Sequence, residues 1–193
     1  MSWRLVNEKT LELNITHEGM SLAGVGTFGF TQQLESKIGA DVLFPYPKPF
    51  ILQFKAAKVG VDGLWAKFYV NNNKLKNQHR VLDAIARTGI CDALYAFPLI
   101  LSDPFLTSNF GNLLNFTCMI DSKRLTGNLN WVGQSHIVEV YNNCRFKVRS
   151  SGEVFGEGFS AKQFFDKIAK ERERINLMKN KIYPSLSDAL LSI

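Results

Sequence analysis

The apolar run of residues 50–57 constrains the fold more than any other segment of this chain. Its sequence is Phe-Ile-Leu-Gln-Phe-Lys-Ala-Ala, and three alternating prolines before it require an extended, turning connection instead of a helix. The run therefore predicts a buried β-strand. Because side chains alternate along a strand, we expect Gln53 and Lys55 on one face and Phe54 on the other.

Polar side chains inside such a strand need partners, since burying them alone costs free energy. Asp41 is in the same situation, because it lies in the short apolar run of residues 40–44. We therefore expect Asp41, Gln53 and Lys55 to meet at a sheet edge or in a cleft.

These three residues have a chemical use together. A carboxylate, an amide oxygen and a backbone carbonyl can hold Mg²⁺, which lowers the pKa of a bound water and offsets charge on a phosphate. Lys55 can orient the attacking water or stabilise the transition state, and Glu35 on the preceding predicted helix could complete the metal shell. The structural alternative is a buried Asp41–Lys55 ion pair, with Glu35 simply exposed on its helix.

The surrounding sequence predicts a compact α/β arrangement. Its last helix is expected to cross over and return a strand beside the others. In chain order, the predicted elements are a helix over 31–37, strands over 40–44, 50–57 and 64–70, a helix over 75–88 and a strand over 93–101.

The rest of the chain is expected to extend this sheet within a single domain of residues 1–193. Three strands are predicted over residues 116–120, 136–141 and 144–149. A long helix is predicted over residues 160–180, where Ser160 and Gln163 form a capping box.

Length and composition narrow the class of protein. The 193 residues are 46% hydrophobic with a formal charge of +6, which suits one ordinary globular domain and raises the expectation of a polyanionic partner only modestly. No secretory leader and no apolar stretch of membrane-spanning length is apparent, so we expect a cytoplasmic protein without a membrane partner. The three cysteines are expected to be buried thiols.

The spacing of the polar residues and the order of elements resemble the PD-(D/E)XK nuclease superfamily over residues 28–101. The similarity is to the branch with Gln-x-Lys in place of Glu-x-Lys, as in Mrr-type restriction endonucleases. It implies a restriction-endonuclease-like α-β-β-β-α-β core and residues 102–193 as a β-rich extension with terminal helices. It also implies that Asp41 binds the metal, Gln53 takes the second metal-site position, Lys55 is catalytic and Glu35 is the first-helix acid.

Three departures from the family pattern are visible. Ala40 stands where the family has its name-giving proline. Gln53 supplies no second negative charge. The predicted strand over 64–70 intervenes before the helix that the simplest members reach directly.

Two groups of polar side chains outside this set are candidates for contacts with nucleic acid. Gln78 is the expected secondary site residue, and the cations around it could contact phosphates or belong to a solvated helix start. The second group alternates along one strand face, which suits a phosphate backbone but also protects an exposed strand. The two groups are Lys74, Lys76, Gln78 and Arg80, and Arg145, Lys147 and Arg149.

The hypothesis that follows is a nuclease dependent on Mg²⁺ or Mn²⁺ that cuts DNA in preference to RNA, an endonuclease of restriction or anti-phage defence. The alternative is a non-catalytic subunit with a nuclease fold that binds nucleic acid or a protein. A homodimer would suit double-strand cleavage. Too few residues remain for a separate recognition domain, so specificity is expected from the extension or from a protein partner.

Overall fold

The computed structural model describes residues 5–29, 37, 40–46, 48–71, 78–126, 135–149 and 153–182. Within them the chain is a mixed α/β fold with two β-sheets. The helices are α1 (Glu8–Ala23), α2 (Gln78–Arg87), α3 (Asp103–Ser108), α4 (Ser122–Thr126) and α5 (Ala161–Ile182), with a short 3₁₀ helix over Leu113–Phe116. The strands are β1 (Phe28–Gly29), β2 (Val42–Phe44), β3 (Phe50–Phe54), β4 (Val59–Val61), β5 (Trp65–Asn71), β6 (Asp92–Pro98), β7 (Thr117–Asp121), β8 (Ser135–Tyr141), β9 (Arg145–Arg149), β10 (Glu153–Glu157) and β11 (Phe159–Ser160).

The first sheet, sheet 1, has the strand order β1-β2-β3-β6-β7-β11. Its only parallel pair among the described strands is β3 with β6, and the chain reaches β6 through α2. Sheet 1 is buried on both faces. One face packs on α1 and α5, and the other packs on α2 and on the second sheet. Strand β3 is buried along its whole length, which explains why all of its residues except Gln53 are apolar.

The second sheet, sheet 2, has the order β10-β9-β8-β5-β4 and corrects one prediction. The segments that form β5, β8 and β9 were expected in the sheet that contains the residue 50–57 strand. Instead β5 pairs with β4 and β8, and β9 pairs with β8 and β10, all in sheet 2. The reason is the one-sided pattern of these strands: in β5, Ala66, Phe68 and Val70 are buried while Lys67 and Tyr69 alternate with them on the outer face. Such strands need one solvated face, which sheet 1 does not offer.

Helix α1 is an element that the sequence patterns do not predict. Its buried side includes Glu12, Thr16 and Gly19 beside Leu11, whereas Leu13 is exposed, so no continuous apolar stripe marks the helix. A Cβ on Gly19 would lie 2.6 Å from Cζ of the α5 residue Phe165, so the glycine permits close packing of the two helices. The fold therefore starts one helix earlier than expected.

The other predicted elements appear close to their expected positions. The strand predictions over 40–44, 50–57, 64–70 and 93–101 correspond to β2, β3, β5 and β6. The long C-terminal helix is α5. The helix predicted over 31–37 lies outside the described residues except for Lys37. Within the described part of the chain, no helix has both the length and the apolar composition needed to cross a membrane.

Candidate active site

Asp41 lies directly before β2, and the antiparallel pairing of β2 with β3 brings its carboxylate to the end of β3. The Asp41 backbone N–H donates to Leu52 O at 2.9 Å, which fixes the start of β2 against β3. Asp41 Oδ2 accepts hydrogen bonds from the backbone N–H of Phe54 at 2.7 Å and from Gln53 Nε2 at 2.8 Å. The carboxylate is therefore held by two donors from one strand.

Gln53 continues the network toward α2. Its Nε2 also donates to Phe54 O at 2.9 Å, and its Oε1 accepts from Gln78 Nε2 at 2.5 Å. Gln78 Oε1 in turn accepts from Lys55 Nζ at 3.0 Å. Asp41, Gln53, Gln78 and Lys55 thus form one hydrogen-bonded chain, which we call the Asp41–Lys55 chain.

This geometry confirms the expected faces of β3. Phe54 belongs to the core beneath α1 and α5, while Ile51, two residues before Gln53, belongs to the core on the opposite side. Among the described residues, no salt bridge joins Asp41 to Lys55, because the lysine donates to Gln78 instead. The buried ion pair considered as the structural alternative is therefore not the observed arrangement.

Helix α1 adds two acids that the sequence analysis missed. Glu8 Oε2 accepts from the backbone N–H of Ala56 at 3.0 Å, one residue beyond Lys55. Glu12, one turn later, is buried and paired with Lys9 Nζ at 2.7 Å. A usable signal was present: Asn7 caps the helix, and acids spaced by four residues share one face of a helix.

The electrostatics of the site are set mainly by the burial of Asp41, with smaller effects from the neighbouring acids of α1. Burial is the main cause that raises the pKa of Asp41 to about 7, and the negative charges of Glu12 and Glu8 add to this. The Phe54 N–H and the Lys55 ammonium act in the opposite direction. Burial also lowers the pKa of Lys55, against the influence of Glu8 and Asp41. A cation at this point would relieve the repulsion among the acids.

The carboxylates of Asp41 and Glu8 are the ligands at this site that suit a hard divalent cation. Asp41 Oδ1 and Glu8 Oε1 make no hydrogen bond to a described residue, and both are carboxylate oxygens of the kind that Mg²⁺ prefers. No cluster of three or more Asp, Glu, His or Cys side chains suited to a metal was found in the described part of the chain. Two carboxylates, with substrate and water oxygens, would have to complete the shell.

A buried pair of aromatic rings, Tyr95 and His79, lies next to the site. Tyr95 on β6 lies opposite Gln53 in the parallel register, and its hydroxyl is 3.2 Å from His79 Nδ1. Burial lowers the pKa of His79 to about 4, so the imidazole is neutral at physiological pH. This pair anchors the first turn of α2, from which Gln78 reaches Lys55.

The remaining predicted site residues are distributed as follows. Glu35, Lys74 and Lys76 lie outside the described residues, and Arg80 is exposed on α2. The three cations of β9 each face a glutamate on sheet 2. The pairs are Arg145–Glu157 at 3.3 Å, Lys147–Glu153 at 2.6 Å and Arg149–Glu139 at 3.3 Å.

No protein-family model, curated protein or solved structure matches this chain. The geometry of the site is therefore the basis for assigning a function.

Proposed function

We propose that this protein is a Mg²⁺-dependent nuclease that hydrolyses phosphodiester bonds in DNA. The observation that carries the proposal is the Asp41–Lys55 chain at the end of a buried strand, with Glu8 beside it. A network of this kind is costly to build inside an apolar sheet, and it joins an acid to a lysine through two amides. Such polar groups in a core are typical of a catalytic site.

The topology supports a restriction-endonuclease-like core. The resemblance implies an α-β-β-β-α-β core with its first helix over 31–37 and its third strand over 64–70. Among the described elements, α1, β1, β2, β3, α2 and β6 also occur in this order when the β4–β5 hairpin, which joins sheet 2, is treated as an insertion. In this alignment Glu8 and Glu12 become candidates for the first-helix acid beside Glu35.

In the proposed reaction, Asp41 and Glu8 would hold the cation. Bound Mg²⁺ would supply an activated water and neutralise charge that develops on the phosphate. Gln53 fixes the orientation of the Asp41 carboxylate through its amide N–H. Gln78 holds the Lys55 ammonium, which can donate a hydrogen bond to a phosphate oxygen or to the attacking water.

The test is cleavage of single-stranded and duplex DNA, and of RNA of the same sequence, by purified protein with Mg²⁺ or Mn²⁺. Cutting of DNA is expected, and Asp41→Asn or Lys55→Met should reduce it by at least about 100-fold. Asp166→Asn and Lys167→Met on exposed parts of α5 are the matched controls and should cut normally. Cleavage that survives both site substitutions would exclude this site as the catalytic centre.

A non-catalytic nuclease-fold subunit is the second candidate. It is favoured by the neutral Gln53, whose amide oxygen accepts a hydrogen bond from Gln78, and by the small number of carboxylates in the described site. A thermal melt separates the two: a metal-binding nuclease is stabilised by millimolar Mg²⁺ or Mn²⁺, and a subunit that has lost the metal is not.

A further inference from the structure

A polar groove of about 670 Å³ adjoins the proposed active site. The start of α1 lines one side of it, and the segment after β3, from Ala56 to Lys58, lines the other. Glu8 lines the groove, and its carboxylate accepts from the N–H of Ala56, the residue next to Lys55. The groove therefore adjoins the proposed active site through Glu8.

The groove continues into an apolar pocket of about 610 Å³, because Leu5 and Lys58 line both. Leu5 and Val59 leave 50% and 52% of their surface exposed there. This volume is typical of sites that bind small ligands. The apolar side chains of the pocket are Leu5, Val59, Leu101, Pro104 and Phe105.

The pocket is built by hydrogen bonds within the chain. Asp62 accepts from the backbone N–H groups of Leu101 and Ser102, and from Ser102 Oγ at 2.6 Å. Ser102 Oγ accepts from the Phe105 N–H at 3.3 Å and so caps α3. The Asp62 carboxylate therefore hydrogen-bonds to Leu101 and Ser102, which also line the pocket, and the surface left for a ligand is mainly apolar.

Lys58 stands where the groove meets the pocket. Its side chain is exposed, and its ammonium makes no ion pair with any residue that the structure describes. Lys58 follows Lys55 by three residues, so their Cα atoms are at most about 11 Å apart. A phosphate at Lys58 would therefore belong to a nucleotide close to the one that is cut.

Resting on the proposed nuclease function, we propose that the pocket binds an unpaired base of the DNA strand, whose neighbouring phosphate lies at Lys58. Going outward from Lys55, the surface presents the catalytic cluster, then Lys58 in the groove that Glu8 and Asp103 also line, then an apolar cavity. A nucleotide strand presents the matching sequence of scissile phosphate, next phosphate and base. A paired base would first have to leave its stack, so the substrate is single-stranded or locally opened DNA.

The test compares the binding of two labelled single strands of equal length, one of thymidine nucleotides and one of abasic residues. Ca²⁺ replaces Mg²⁺, and electrophoresis checks that the strands stay intact. The wild-type protein should bind the thymidine strand about tenfold more tightly, as one stacked base provides.

Ser108→Trp fills the pocket from the exposed face of α3 and should abolish that preference while leaving the affinity for the abasic strand unchanged. Thr107→Trp, on the same helix but outside the pocket, is the matched control and should keep the preference. Lys58→Gln should weaken the binding of both strands by a similar factor and lower the salt dependence of binding.

Equal wild-type affinity for the two strands, tighter binding of duplex than of single-stranded DNA, or identical behaviour of the two tryptophan variants would overturn the pocket assignment. Cleavage with Mg²⁺ tests the nuclease function separately. If the protein prefers strands with bases but does not cut DNA, the pocket assignment is supported and the nuclease function is contradicted. If it cuts DNA without a preference for bases, the nuclease function is supported and the pocket assignment is contradicted.

Discussion

Sheet 1 and sheet 2 both carry charged and polar residues, but they carry them in opposite ways. On sheet 2 the charges alternate regularly with buried residues, and each cation of β9 faces a glutamate. At sheet 1 the polar residues interrupt apolar runs, and Asp41 and Gln53 are satisfied by one another and by Gln78. Polar residues that fit the strand period lie on the outer face of sheet 2, while those that break the apolar strand of sheet 1 join the Asp41–Lys55 chain.

The two arrangements also differ in energy. Exposed ion pairs contribute little to stability, because water screens them and two side chains lose freedom. A buried hydrogen-bonded network is costly if any member is lost, since its partners remain buried without a donor or acceptor. The same kind of substitution should therefore have very different effects in the two sheets.

The largest contrast is expected in DNA cleavage. Lys55→Met should lower the rate by at least about 100-fold, because it removes the ammonium that Gln78 holds at the site. Arg145→Gln should change it by less than about threefold, because Arg145 is exposed and paired with Glu157. A large loss in Arg145→Gln would instead support the prediction that the β9 cations bind phosphates.

The second contrast concerns stability and compares two phenylalanines. Phe54 is fully buried beside the site, so Phe54→Ala should lower the free energy of unfolding by about 3 to 5 kcal/mol in urea denaturation. Phe155 is 69% exposed on sheet 2, and its ring centroid lies 5.0 Å from the Lys147 ammonium, so Phe155→Ala should cost less than about 1 kcal/mol. Equal costs would mean that the outer face of sheet 2 is covered in solution.

The third prediction concerns pH in the absence of divalent cations. The pKa of Asp41 is raised to about 7, so its contribution to stability is complete below its unfolded pKa near 4 and is lost as pH rises through 7. Asp41→Asn should therefore be more stable than wild type by about 2 to 4 kcal/mol at pH 8, with a smaller difference near pH 4.

Thermal melts of both proteins across this pH range measure the difference. Mg²⁺ should stabilise the wild type at pH 8 and leave the variant unchanged. A difference that is the same at pH 4 and pH 8 would show that Asp41 does not titrate in this range.

The smallest effect is expected for a single ion pair of sheet 2. A double-mutant cycle on Arg145 and Glu157, whose side chains are both exposed, should give a coupling below about 1 kcal/mol that falls further at high salt. A larger, salt-insensitive coupling would indicate that this pair is shielded from water.

The sequence alone predicted the central part of the site. Period-two alternation along residues 50–57 was sufficient to place Gln53 and Lys55 on one face. The cost of burying Asp41 alone pointed to its contact with Gln53, whereas Lys55 joins the same network only through Gln78. Gln78 was expected as a secondary residue, and it joins Gln53 to Lys55. These predictions succeeded because they depended on local periodicity and on polar groups that had to be satisfied.

The parts that could not be predicted depend on tertiary packing. Helix α1 buries Glu12 and Gly19 against the rest of the fold, so its sequence lacks an apolar stripe, and Glu8 went unnoticed with it. The division into two sheets depends on the pairing of β5 with β8, about 70 residues away in the chain, which no local pattern encodes. The role of Glu35 as the first-helix acid stays a prediction.

The central claim is that Asp41 and Lys55 form a metal-dependent catalytic site, and crystals of the wild-type protein soaked in Mn²⁺ test it most directly. We predict an anomalous difference peak bound by Asp41 and Glu8, with the Lys55 ammonium beside it, and no such peak in Asp41→Asn crystals. A wild-type crystal with Mn²⁺ bound elsewhere, or with no peak at Asp41, would contradict the claim.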